Sequence, residues 1–156
     1  MRDAMTERFE NLFARLAQRR EAEPEWDEAA REAGLHLVAI VPPNASDKRV
    51  ARIAGLTSGY TYLLSRVGIT GTDHASGTPA ERIIRDLERA KAPPTLLGFG
   101  ISTPGHVRRA LEAGAAGVIV GSALVKIVSE HLGDRDAMLK ALGSAAASFK
   151  AATRTA

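Results

Sequence analysis

Apolar positions at the start of the chain recur at helical spacing. Phe9, Leu12, Phe13 and Leu16 follow Thr6 at the i, i+3, i+4, i+7 interval of one helical face, with Thr6 placed to cap it. Arg15, Arg19 and Arg20 fall toward its C-terminal end, where the helix dipole favours cations. The pattern restarts after Glu21-Ala22-Glu23-Pro24 with Trp26, Ala29, Ala30 and Ala33, and Gly34 supplies the stop. From Leu35 the period changes. Leu35-His36-Leu37-Val38-Ala39-Ile40-Val41, ended by Pro42-Pro43, predicts a strand buried on both faces.

Short apolar runs and helical stripes then alternate. Ser46 caps a helix carrying Val50, Ile53 and Ala54, and Tyr60 to Ser65 is the second strand. A glycine-bearing loop runs from Arg66 to Gly77. Thr78-Pro79-Ala80-Glu81 combines a cap, a proline at the first helical position and a capping-box glutamate, ahead of a buried stripe of Ile83, Ile84, Leu87 and Ala90. Thr95 to Gly100 is the third strand. Ser102 or Thr103 with Pro104 opens a helix through Val107, Ala110 and Leu111 to Gly114. Gly117 to Val120 is the fourth strand, followed by Gly121-Ser122 and a helix with Leu124, Val125 and Val128. A last helix from about Asp134 packs Met138, Leu139 and Leu142.

Strands alternating with helices imply an α/β fold with a parallel sheet and right-handed crossovers. Residues 24–156 are about half the ~250 residues of a complete eight-unit barrel. The expected architecture is therefore a partial, half TIM-type βα barrel with four parallel strands (24–156), preceded by an N-terminal amphipathic helix (1–23). A small doubly wound sheet has the same local pattern.

Composition narrows the function. Charged residues are 25% and hydrophobic ones 45%, which sets aside disordered, collagenous and coiled-coil readings. The net charge of +3 is scattered and aromatic residues are only 4%, so neither a basic stripe nor stacking rings point to nucleic acid. The absence of cysteine excludes a disulfide frame, a thiolate nucleophile and cysteine-ligated metal. No apolar run reaches the ~18 residues of a membrane span, and a cytoplasmic location is the expectation.

In a parallel βα array, ligands sit at the C-terminal ends of the strands. Those ends are Pro42-Pro43-Asn44, Ser65 to Gly71, Gly98 to Ser102, and Gly121-Ser122, and three of the four are glycine-rich. Glycine lets successive N–H groups converge on an anion, and Gly121-Ser122 also opens a helix whose unpaired N–H groups favour phosphate. Tight turns alone are the plainer explanation of any one of these loops.

The runs Pro42-Pro43-Asn44-Ala45, Gly59 to Arg66, Gly68-Ile69-Thr70-Gly71, Gly98-Phe99-Gly100-Ile101-Ser102 and Ala113 to Ala123 together resemble the second half of the tryptophan synthase α chain, in that family's order and at about its spacing. Thr6 to Phe13 resembles the family's opening helix. The resemblance implies a (β/α)8 barrel that cleaves indole-3-glycerol phosphate to indole and glyceraldehyde 3-phosphate, and a β chain as partner. By motif, it implies that Gly71, Gly100, Gly121 and Ser122 hold the substrate phosphate, and that Tyr62, Thr70 and Phe99 line the indole-glycerol pocket. It implies no cofactor on this chain.

The departure from the family is equally specific. Glu21-Ala22-Glu23 leads straight to what resembles the helix before the family's fifth strand. The two carboxylates the family uses, on strand two and in the loop after it, fall in segments that this sequence does not contain. Each general acid or base contributes about 10²–10⁴-fold, so the expectation is no catalytic residue here and no activity for the chain alone. Asp47 reads as a first-turn helix acid and Asp73 and His74 as loop residues. His36, His106 and His131 lack clustered partners for a metal. Lys126 and Arg66 read as surface cations, and Trp26 as a packing residue between a helix and the sheet. An alternative role is a non-catalytic phosphate-binding half-barrel that self-associates, since an opened barrel leaves two apolar strand edges and invites a homodimer.

Overall fold

A computed structural model describes residues 25–64 and 79–154. The helix expected after Thr6, the cap at Thr78 and the loop from Arg66 to Gly77 lie outside the described residues, as does the packing of the Trp26 side chain. The chain divides into two units, Met1–Leu37 and Val38–Ala156. In the first, α1 (Glu25–Glu32) stops where Gly34 takes φ 67°, and the N–H of Leu35 donates to the Ala30 carbonyl at 2.8 Å. That left-handed turn closes the orphan carbonyls of the last helical turn.

The second unit is a run of βα pairs. Its elements are β1 (Ile40–Val41), α2 (Asp47–Leu56), β2 (Thr61–Leu64), α3 (Pro79–Arg89), β3 (Thr95–Gly98), α4 (Pro104–Glu112), β4 (Gly117–Ile119), α5 (Ser122–Glu130) and α6 (Arg135–Ala152). Among the described residues all three strand pairings are parallel and the order is β1-β2-β3-β4. A doubly wound sheet reverses its strand order at a switch point, whereas a barrel adds strands in sequence. The sequential order places this sheet with the barrels.

Register gives the sheet two different faces. Val41, Leu63, Leu97 and Val118 are aligned across the four strands, and the first three are fully buried. They meet Val50, Ile53, Ile83, Ile84, Leu87 and Ala110 from the helices in one core. Side chains of this size each contribute about 1.5–3 kcal/mol when fully buried. The opposite row, Ile40, Tyr62, Leu96 and Gly117, is half-buried or exposed, with Ile40 at 49%.

The caps follow the sequence. Ser46 accepts from the Arg49 N–H, Thr103 (not Ser102) from the His106 N–H, and Asp134 from the Ala137 N–H. Several expectations are corrected, among them the packing of Leu139, which is 51% exposed, and the end of the fourth strand, which falls at Ile119 and not Val120. The first strand shrinks from 35–41 to Ile40–Val41, because the Ala39 N–H donates to Thr57 Oγ1 at 3.1 Å rather than to a neighbouring strand, and Leu35 is exposed. It is also not buried on both faces. The third strand ends at Gly98, because Phe99 and Gly100 turn left-handed. Ala90 is exposed, since α3 ends at Arg89 and the chain unwinds through Lys91 at φ 56°.

Candidate functional site

Parallel neighbours put the C-terminal ends of β3 and β4 side by side, with Gly98 in register with Ile119. Adjacent strands lie about 4.8 Å apart, so the loops that follow share one edge of the sheet. The β3 loop is short and held at both ends. Phe99 (φ 72°) and Gly100 (φ 83°) take consecutive left-handed conformations. Ile101 is buried with Val107 and Ala152, and Thr103 caps α4. A left-handed phenylalanine costs about 1–2 kcal/mol, and strain of this kind concentrates at ligand sites. Phe99 is 61% exposed at that strained position.

The β4 loop is the complementary half. Gly121 stands at the N-cap of α5 with no side-chain cap, and both it and Ser122 are exposed. A Cβ built at Gly121 meets nothing within 4 Å, so the approach to the first turn of α5 is open. The N–H groups at such a terminus, with the helix dipole behind them, suit an anion. Behind the β3 loop, Tyr62 reaches along the sheet from β2 to lie against Gly98.

Of the residues singled out in sequence, Tyr62, Phe99, Gly100, Gly121 and Ser122 are thus carried by three adjacent strands or the loops that follow them. Gly71 and Thr70 lie outside the described residues, as do Arg66, Asp73 and His74. Asp47 is bound to Arg82 of α3 at 2.9 Å, which gives it a structural partner. Lys126 pairs with Glu130 at 3.8 Å, and His131 Nδ1 lies 2.8 Å from the Ile127 carbonyl of its own helix. Among the described residues no three His, Cys, Asp or Glu side chains gather to hold a metal, and no helix is long and apolar enough to cross a membrane. A cavity of about 570 Å³ runs along β4, between Leu96, Val118 and Val120 and the α6 residues Phe149 and Lys150, with Leu124 of the first turn of α5 also in its lining.

One participant was missed in the sequence. The ring of His106 lies behind the β3 loop, with Nδ1 3.0 Å from the Gly100 carbonyl. The available signal was its place as the third residue of a helix capped by Thr103, from which a side chain reaches back over the preceding turn.

The parallel sheet, its sequential strand order and the flanking helices define half of a βα barrel. Structures of whole barrels overlay on it. The tryptophan synthase α subunit in the α2β2 complex of Pyrococcus furiosus aligns with a TM-score of 0.67 at 34% identity, covering 83% of this chain and 49% of that one. A mutant α subunit of the same organism aligns with a TM-score of 0.65 at 35% identity, covering 82% and 50%. The family model for the tryptophan synthase alpha chain matches residues 19–154, and the chain belongs to that family. The alpha chains of Vibrio vulnificus and Photobacterium profundum are each 48% identical to it over 130 residues. Those residues are 83% of this chain and 48% of each relative, so the chain spans about half the length of the curated relatives it matches.

Proposed function

We propose that this chain supplies the phosphate-gripping half of an indole-3-glycerol phosphate lyase of tryptophan biosynthesis, and that alone it binds the phosphorylated substrate without cleaving it. The observation that carries this is the pairing of the Phe99-Gly100 turn with the uncapped start of α5 at Gly121-Ser122 on one sheet edge. Backbone N–H groups of Gly100, Gly121 and Ser122, with Gly71, would hold the phosphate, while Tyr62, Thr70 and Phe99 would line the space for indole-glycerol. The proton transfers of the cleavage need an acid and a base that these loops do not supply. The α2β2 complex of the Pyrococcus furiosus relative supports a β chain as partner.

The test is an amide-shift titration with glycerol 3-phosphate alongside an indole-release assay. Saturable shifts at Gly100, Gly121 and Ser122 with no indole release are expected. Gly121→Asp isolates the electrostatics, because aspartate is a good N-cap and has room at this position. It should leave the fold intact and abolish binding. Turnover like that of a complete barrel overturns the division of labour, and binding unaffected by Gly121→Asp overturns the assignment of the loops.

A second reading is self-association, favoured by the exposure of Ile40 and by the positions of β1 and β4 at the two edges of the described sheet. A two-fold axis along the barrel direction keeps all strands parallel and brings β4 of each copy to β1 of the other, so both seams close together. Sedimentation should show a dimer that Ile40→Lys weakens. A monomer at high concentration removes this reading.

A further inference from the structure

His106 is held where its ring must choose between two partners. Its backbone N–H is fixed by Thr103, with Oγ1 at 3.2 Å and the carbonyl at 3.0 Å. The half-buried side chain turns back across the β3 loop. Its Nδ1 lies 3.0 Å from the Gly100 carbonyl oxygen, 3.2 Å from the Ser102 backbone nitrogen and 3.3 Å from Ser102 Oγ. These partners make opposite demands. The Gly100 carbonyl only accepts, so it needs a proton on Nδ1, and the Ser102 N–H only donates, so it needs the Nδ1 lone pair. One ring nitrogen satisfies one of them at a time. The Ser102 hydroxyl fits either state, because it can donate or accept.

We propose that His106 is the positioning residue of the anion loop, and that a bound phosphate selects its Nδ1–H tautomer. An anion needs the loop's N–H groups turned toward it and the loop's carbonyls turned away. Nδ1–H holds the Gly100 carbonyl back against α4, beside a glycine whose positive φ leaves the peptide free to keep that orientation. The same tautomer gives up the Ser102 N–H, which the anion then takes. Without an anion, the lone pair on Nδ1 engages Ser102 N–H and the loop relaxes toward it. His106 touches no substrate in this scheme and acts through Gly100 and Ser102. The proposal rests on the reading that the β3 and β4 loops hold phosphate.

The experiment is a titration of the ¹⁵N-labelled chain with inorganic phosphate at one fixed alkaline pH, following the imidazole nitrogens and the amides of Gly100, Ser102 and Gly121. On saturation, His106 Nδ1 is expected to move from a pyridine-like to a pyrrole-like shift. His106→Ala should weaken phosphate binding about tenfold, roughly the worth of one hydrogen bond. His106→Gln, whose amide can donate to Gly100, should recover part of the loss. Wild-type binding with an unmoved Nδ1 resonance overturns the proposal and leaves the phosphate reading standing. Equal binding by wild type, His106→Ala and His106→Gln does the same. No saturable binding by the wild type removes the phosphate reading and this proposal together. Should His106→Ala fail to fold, the wild-type tautomer shift and the glutamine variant still decide.

Discussion

The Tyr62 ring occupies the space that a side chain on Gly98 would fill: a Cβ at position 98 would stand 2.5 Å from Tyr62 Oη and 2.6 Å from Cζ. Tyr62 pairs in register with Leu96, two residues earlier on β3, so the ring leans along the sheet toward the strand ends. A glycine at the last position of β3 therefore sets where an aromatic wall of the candidate pocket stands. Gly98→Ala should cost about 1–3 kcal/mol, the usual range for overpacking. In a double-mutant cycle with Tyr62→Ala, measured by urea unfolding, most of that cost should vanish. A Gly98→Ala penalty that is the same with and without the Tyr62 ring refutes the relationship.

Among the described residues, two non-glycine residues stand at left-handed φ for different reasons. Lys91 merely closes α3, its N–H donating to Glu88 and that of Ala92 to Leu87, both at 2.9 Å. Lys91→Gly should raise stability by about 1 kcal/mol with phosphate binding unchanged. Phe99 turns the chain at the candidate site. Phe99→Gly should also stabilise, by up to about 1 kcal/mol, while weakening binding of the indole-bearing substrate and sparing inorganic phosphate. Parallel thermal melts and titrations check both, and equal loss of the two ligands would count against Phe99 as an indole contact.

Thr57 is a buried hydroxyl with two backbone obligations. It accepts from the Ala39 N–H at 3.1 Å and donates to the Tyr60 carbonyl at 3.0 Å, tying the entry of β1 to the entry of β2. Thr57→Val keeps the shape and removes both bonds, so unfolding free energy should fall by about 1–3 kcal/mol. Thr57→Ser retains the hydroxyl and should lose much less. Equal losses for the two variants would show that the methyl group, rather than the hydroxyl, carries the effect.

Arg82 joins α3 to the turn before α2. It donates to Asp47 at 2.9 Å, to Asp86 at 3.0 Å and to the Ala45 carbonyl at 3.0 Å. The ion pairs are solvent-exposed to different degrees, and such pairs are worth about 0–1 kcal/mol each. Arg82→Met should cost about 1 kcal/mol in low salt, with the gap to wild type narrowing near 1 M salt as screening removes the ionic part. A penalty indifferent to salt would assign the effect to the Ala45 hydrogen bond and to packing.

Much of the fold was legible in the linear pattern, because the signals involved act within a few residues. Ser46, Thr103 and Asp134 cap the helices that follow them, Gly34 and Gly114 stop the helices before them, and Ile83, Ile84 and Leu87 are buried at helical spacing. The alternation of strand and helix likewise fixed the class of fold, and the glycine-rich runs marked the strand ends where a ligand site would lie. What required tertiary structure depends on partners distant in the chain. Thr57 takes the Ala39 N–H and shortens β1, and Tyr62 fills the room left by Gly98. The sequential strand order separates half a barrel from a doubly wound sheet. The ring of His106 folds back on the Gly100 carbonyl, a contact that a solitary histidine on a helix does not announce. Local propensity is written in neighbouring residues, but a hydrogen bond or van der Waals contact across the sheet exists only once the strands have been set in register.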